Sequence, residues 1–242
     1  MNRTFDLPAT VAYADVDRHE VMLLSRLFKL LQDAAIAHAN QFGTGTEAIA
    51  ARAETWVLNR IAADIVRYPR PGERLEVETW STGIRGFKGV RDFRVRDGRA
   101  VTILSASSLW LYTSLKSKSI VRVPRDVAES FPVGPEPAHF ADLEDLEFVA
   151  PEDATLAVPV TLRYADFDVN QHVNNAAYFD FIQTAFSRID TDVHPRHIRV
   201  KFAKAIPLEA TQVRVPIRSN GTAAQFAIEC GDVVCAVGEA GW

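Results

Sequence analysis

The chain has 242 residues, 48% hydrophobic and 24% charged, with a formal net charge of −4. That is the balance of a folded globular protein of one large or two modest domains, and it excludes disorder, collagen and coiled coil. No apolar run reaches the ~18 residues of a membrane span. The first residues lack a signal peptide's apolar stretch, and Cys230 and Cys235 are too few for a disulfide scaffold or a zinc site. The reading is therefore a cytoplasmic protein with no metal or cofactor, no membrane partner and, being acidic, no nucleic-acid partner.

In chain order, Leu27, Leu30, Leu31, Ala34 and His38 share one face of a helix predicted over 25–41. Strands are predicted over 56–68 and 74–80, around the turn Pro69-Arg70-Pro71-Gly72. Two more, over 87–96 and 100–112, flank Asp97-Gly98, a strong hairpin signal. A second helix, over 174–189, places Tyr178, Phe181, Ile182, Ala185, Phe186 and Ile189 on one apolar face. Strands over 196–204, 211–217, 223–229 and 233–237 follow it, with the turn Ser219-Asn220-Gly221 between the middle two.

The chain repeats itself. Tyr13-Ala14-Asp15-Val16-Asp17 recurs as Tyr164-Ala165-Asp166-Phe167-Asp168, and the same spacing then aligns Phe28 with Phe179 and Gln32 with Gln183 without a gap. Seven of 23 aligned residues are identical. The first copy carries 13 extra residues, 43–55, between its helix and next strand. Charge marks the join. Residues 60–125 hold fourteen Lys or Arg against six Asp or Glu, whereas 126–158 hold nine acidic residues, no basic ones and several prolines. The organisation predicted is an N-terminal unit over 1–130, an acidic linker over 131–156 and a C-terminal unit over 157–242. Each unit is one helix against antiparallel strands, an α+β architecture.

At the second turn the run Asp168-Val169-Asn170-Gln171-His172-Val173-Asn174-Asn175 resembles the signature of the acyl-ACP thioesterases. Trp56-Val57-Leu58-Asn59-Arg60, Val77-Glu78-Thr79-Trp80, Arg91-Asp92-Phe93-Arg94 and Ser107-Ser108-Leu109-Trp110 are similar to that family's N-terminal half, in the family's order. The resemblance implies two tandem hotdog units, each an antiparallel sheet wrapped round one central helix. It also implies hydrolysis of a fatty acyl thioester on acyl carrier protein, with Asp168, Asn170 and His172 as the catalytic set. The pattern departs from the family at Ala205, where an acid is common, and at Ile206, where plant members carry cysteine.

Elementary chemistry supports the same place. Thioester hydrolysis needs a base or nucleophile and donors for a developing oxyanion. Asp168 is the candidate base or nucleophile, Asn170 positions water or carbonyl, and His172 moves the proton. The N–H groups of Val173, Asn174 and Asn175, at the start of the following helix, are candidate oxyanion donors. The same residue types also make ordinary turns and helix caps. In the first copy apolar residues replace the polar set and only Asp17 remains, which suits a half that holds the acyl tail; Leu31, Ala35 and Trp56 are its candidate tail contacts. Acyl carrier protein is acidic, so Arg85, Lys88 and Arg94 of the basic block are candidate docking residues. One chain with two units is expected to act as a monomeric pseudo-dimer or to pair as a homodimer.

Overall fold

A computed structural model describes residues 3–190 and 194–242, with all side chains except those of Thr46 and Ala50. The first half runs β1 (Phe5–Thr10), α1 (Leu24–Asn40), α2 (Thr46–Ala50), β2 (Glu54–Ile65), β3 (Arg74–Arg85), β4 (Lys88–Asp97), β5 (Thr102–Ser114), β6 (Ser119–Ile120) and α3 (Arg125–Ser130). The second runs β7 (Leu156–Thr161), α4 (Asn175–Phe186), β8 (His197–Phe202), β9 (Gln212–Ser219), β10 (Ala223–Cys230) and β11 (Val233–Gly241). The strands form one antiparallel sheet in the order β1-β3-β4-β5-β2-β8-β11-β10-β9-β7, with β6 beside β5. Read from either edge to the centre, both halves show the same order, so a pseudo-twofold axis passes between β2 and β8. Across that seam Ile61 pairs with Val200 and Ala63 with Ile198. A bulge between Leu58 and Arg60 breaks the β2–β5 register. Asn59, inside it, donates from Nδ2 to the Phe202 carbonyl at 3.2 Å and accepts from Arg60 at 2.8 Å, tying the halves together.

Helices α1 and α4 lie side by side in the concavity of this sheet. Their apolar faces bury Leu24, Leu27, Phe28, Leu31 and Ala34 from one, and Tyr178, Phe179, Phe181, Ile182, Ala185 and Phe186 from the other. Phe28 and Phe179, mates under the 151-residue repeat, stack with ring centroids 3.6 Å apart. Apolar side chains from every long strand complete one core spanning both halves. Burial on that scale is the main stabilising term.

Strands β1 and β7 escape sequence reading. Each carries a proline, Pro8 or Pro159, and each lies at a sheet edge, where one missing donor is tolerated. The 13-residue insertion contains α2. Helix α4 ends at Phe186, three residues before the expected 189.

The acidic segment is not a loose tether. Buried Phe140 and Leu143 pack on Ala62 and Leu109, on the face of the first half's sheet away from α1. The N–H of His139 donates to Asp92 at 2.8 Å, and that of Phe140 to the Ser107 hydroxyl at 3.0 Å. Its carboxylates meet the basic strands: Glu144 with Lys88 at 2.6 Å, Glu136 with Arg94, and Glu147 with both Arg60 at 3.0 Å and Lys201 at 2.5 Å. Arg94 also pairs with Glu78 at 3.3 Å. This corrects the expectation that Lys88 and Arg94 present free positive charge. Their partners lie 42 and 56 residues away in sequence, a proximity that local composition does not reveal. Arg85, exposed beside the hairpin tip at Gly86, makes no ion pair among the described residues.

Candidate active site

Two turns, one before each central helix, follow the same hydrogen-bond plan. In each, a three-residue 3-10 turn (Tyr13–Asp15 or Tyr164–Asp166) is closed by its aspartate, whose carboxylate accepts the N–H of Ala12 at 3.0 Å or Arg163 at 2.7 Å. Asp166, almost fully buried and also paired with the Arg163 guanidinium, is structural. The next aspartate starts the turn proper. Asp17 N–H donates to the Val21 carbonyl and Asp168 N–H to that of His172, both at 2.9 Å. The carboxylates of Asp17 and Asp168 in turn accept from the N–H groups of His19 at 2.8 Å and Asn170 at 2.9 Å. Even the strained positions correspond, with Glu20 at φ 58° and Gln171 at φ 62°.

The turns then diverge. In the first, the second oxygen of Asp17 meets His194 Nε2 at 2.7 Å. Burial pushes this carboxyl up, but the His194 contact and the His19 and Val21 N–H groups outweigh it and leave it below the usual carboxylate range. In the second, Asp168 Oδ2 faces Asn174 Nδ2 at 3.4 Å, while Asn174 Oδ1 caps α4 by accepting the Ala176 N–H at 2.8 Å. Asp168 is half-buried; Asn170 and His172 are exposed. Among the described residues neither Asn170 nor His172 makes a side-chain hydrogen bond, so the three groups share one turn without being linked to one another.

The backbone at the start of α4 narrows the oxyanion assignment. Val173 N–H donates to the Ile206 carbonyl at 3.1 Å and Asn174 N–H to that of Asp166 at 2.8 Å, so neither is available. This corrects the expectation of three donors. Among the described residues no group accepts the Asn175 N–H. That residue lines a narrow cavity with Ala176 and Phe179 of α4, Phe28, Leu31 and Gln32 of α1, Leu58 and Ile61 of β2, Phe93 of β4, and Ser108 and Trp110 of β5. Asn175, at the start of α4, thus lies against the helix and sheet of the other half; Asp168, Asn170 and His172 are not part of that lining.

Leu31 lies in that lining. Ala35 is buried one turn further along α1 and is not part of it. Trp56 is a correction: its ring contacts Tyr112 at 4.8 Å in a separate cluster with Ile49, Val123 and Val127. Trp56 shares a face of β2 with Leu58, but it lies two residues nearer the start of the strand, beyond the end of the cavity. Beyond Ala35, buried His38 Nδ1 accepts from the buried Arg91 guanidinium at 2.9 Å; burial, then the adjacent positive charge, lowers the imidazole to about 4. Ala205 is exposed, and so is Glu209, an acid four residues on, which makes no side-chain hydrogen bond or ion pair among the described residues. Cys235 is buried and its thiol is pushed up to about 11, first by burial, which makes it a packing residue rather than a nucleophile. Among the described residues no three His, Cys, Asp or Glu side chains are grouped to hold a metal.

The family description "Acyl-ACP thioesterase N-terminal domain" matches residues 2–131, and its C-terminal counterpart matches 150–233. The chain belongs to the acyl-ACP thioesterase family. A dodecanoyl-[acyl-carrier-protein] hydrolase of Cinnamomum camphora is 30% identical over 79% of this chain and 53% of its own length. A palmitoyl-acyl carrier protein thioesterase of Gossypium hirsutum is 28% identical over 69% and 43%. The chain thus spans about half the length of these plant relatives. A 12:0-ACP thioesterase from Umbellularia californica superposes with a TM-score of 0.87 at 21% identity, over 100% of this chain and 98% of that one. An acyl-ACP thioesterase from Bacteroides thetaiotaomicron gives 0.87 at 18% identity, over 99% and 97%. The architecture is the tandem hotdog of these neighbours, as the resemblance implied.

Proposed function

We propose that this family member hydrolyses fatty acyl thioesters of acyl carrier protein at the turn before α4, releasing the free fatty acid. The observation that carries this reading is the asymmetry of two otherwise matched turns. Only the second joins a carboxylate held in place by Asn174 and the Asn170 N–H to an uncommitted helix N–H on an apolar cavity. Asp168 takes the proton of the attacking water as oxygen adds to the thioester carbonyl carbon. The Asn175 N–H donates a hydrogen bond to the oxyanion, helped by the positive end of α4. His172, exposed at the rim, gives a proton to the departing pantetheine thiolate as the carbon–sulfur bond breaks, and solvent carries the proton held by Asp168 back to His172. The acyl tail runs from Asn175 past Phe28 and Leu31 into the first half. The free cysteines 230 and 235 accord with a reducing cytoplasmic setting.

Incubation with matched panels of acyl-ACP and acyl-CoA, following free thiol, tests this. The reading expects turnover on acyl-ACP and much less on acyl-CoA. Equal turnover would make the enzyme a general acyl thioesterase. Tight acyl-ACP binding without thiol release would make it a carrier-binding protein, with exposed Ala205 in place of an acid as the reason.

A further inference from the structure

The repeat makes Gln32 and Gln183 mates, as it does Leu24 and Asn175. In one pair the contact is made: Gln183 Oε1, on α4, accepts the Leu24 N–H at 3.1 Å and so fills the first free donor of α1. Beside it Ser25 Oγ donates to Asp180. Around α1's first turn, where a second cavity would lie by symmetry, these two contacts occupy the space. At α4 the counterparts of Ser25 and Asp180 are Ala176 and Lys29, which cannot form that bond. Gln32 lines the cavity together with Asn175 and makes no hydrogen bond among the described residues. Its neighbours there include Phe28, Leu31 and Phe179, and no side-chain hydrogen bond holds the amide among the described residues. A half-buried amide left uncommitted beside an uncommitted N–H is free to turn to a carbonyl oxygen that enters the cavity.

We propose that Gln32 is a catalytic residue of the thioester site: its Nε2 donates to the thioester carbonyl oxygen alongside the Asn175 N–H, so the oxyanion hole is shared between the two halves. This rests on the acyl thioesterase reading above. A carbonyl oxygen accepts two donors, and the two that flank this cavity come from α1 and α4. The first half therefore supplies a polar group to the chemistry as well as walls for the tail. The same logic assigns Gln183 a purely structural role, because it already caps the Leu24 N–H, the donor it faces at the start of α1.

The test compares Gln32→Ala, Gln32→Glu and Gln183→Ala with the wild type, reading kcat and KM on acyl-ACP and the thermal midpoint. Losing one oxyanion donor costs about 10²–10³ in kcat. Gln32→Ala is expected to show that loss with KM changed less than about threefold and an unchanged midpoint. Gln32→Glu, which places an acceptor and a negative charge against the oxyanion, is expected to be at least as impaired. Gln183→Ala should lower the midpoint and keep kcat. A Gln32→Ala variant within about threefold of wild-type kcat, while Asp168→Asn is inactive, overturns the role of Gln32 and leaves the proposed activity standing. A wild-type protein that releases no thiol from any acyl thioester overturns both.

Discussion

Replacing Asp92 by asparagine should make the protein more stable at neutral pH and remove a pH dependence that the wild type carries. Asp92 is fully buried beneath the acidic segment. One oxygen accepts the His139 N–H at 2.8 Å, and the other has no partner among the described residues. Burial raises the carboxyl to about 6, and the polar contacts with Ser107 and the His139 N–H only partly oppose this. The unfolded chain ionises near the ordinary value of 3.8. Ionisation therefore costs more in the folded state. Stability from this group is fully present below about pH 3.8 and is lost as pH rises through about 6. A difference of about two units corresponds to roughly 2–3 kcal/mol at pH 8. Asparagine keeps an acceptor for His139 and carries no charge. Any penalty for its buried –NH₂ does not vary with pH. Urea unfolding of both proteins from pH 4 to 8 reads the difference directly. The expected result is that Asp92→Asn gains roughly 2–3 kcal/mol on the wild type between pH 4 and 8, at equal m-values. A gap independent of pH would refute the argument.

Enlarging Leu31 to Phe, inside the cavity lining, should shift the acyl-ACP chain-length profile toward shorter chains; an unchanged profile would place the tail elsewhere. Charge reversal at Lys88 and Arg94 should loosen the segment from Glu136 to Glu147. Each exposed pair contributes only about 0.2–1 kcal/mol, so the clearer readout is faster limited proteolysis between 131 and 150, strongest at low salt, where the new repulsion is least screened. Arg85→Glu, by contrast, should raise KM for acyl-ACP and spare a small acyl thioester; equal effects on both substrates would remove Arg85 from carrier docking.

The repeat was the most legible feature of the chain, because one spacing carries through turn and helix and the structure reproduces it bond for bond. The central helices and the long strands were legible from periodicity. The edge strands were not, since Pro8 and Pro159 are strand-breaking signals everywhere except an edge. The turn before α4 was legible as a motif, and the structure holds Asp168 there with the Asn170 N–H and Asn174. Its donors were less so: counting N–H groups at a helix start cannot show that Val173 and Asn174 are already bonded to Ile206 and Asp166. Trp56 failed as a tail contact because it lies two residues before Leu58 along the same face of β2, where Tyr112, Ile49, Val123 and Val127 form a separate cluster, a position that no sequence pattern announced. The basic block failed as a free surface because its counter-charges lie in the segment that follows it. Both segregated runs had been visible; that they fold onto each other had not. Gln32 was visible only as one aligned glutamine, and it acquired meaning when its mate Gln183 proved to cap α1.

The central claim is that the second of two matched turns does the chemistry, and isosteric substitutions at the paired aspartates test it most directly. Single-turnover thiol release from acyl-ACP should fall by ~10²–10⁴ in Asp168→Asn, the scale of a lost general base. Asp17→Asn, which leaves an acceptor for the His19 N–H and weakens only the His194 pair, should stay within about threefold of wild type. The account is contradicted if Asp17→Asn loses as much as Asp168→Asn, or if Asp168→Asn turns over at the wild-type rate.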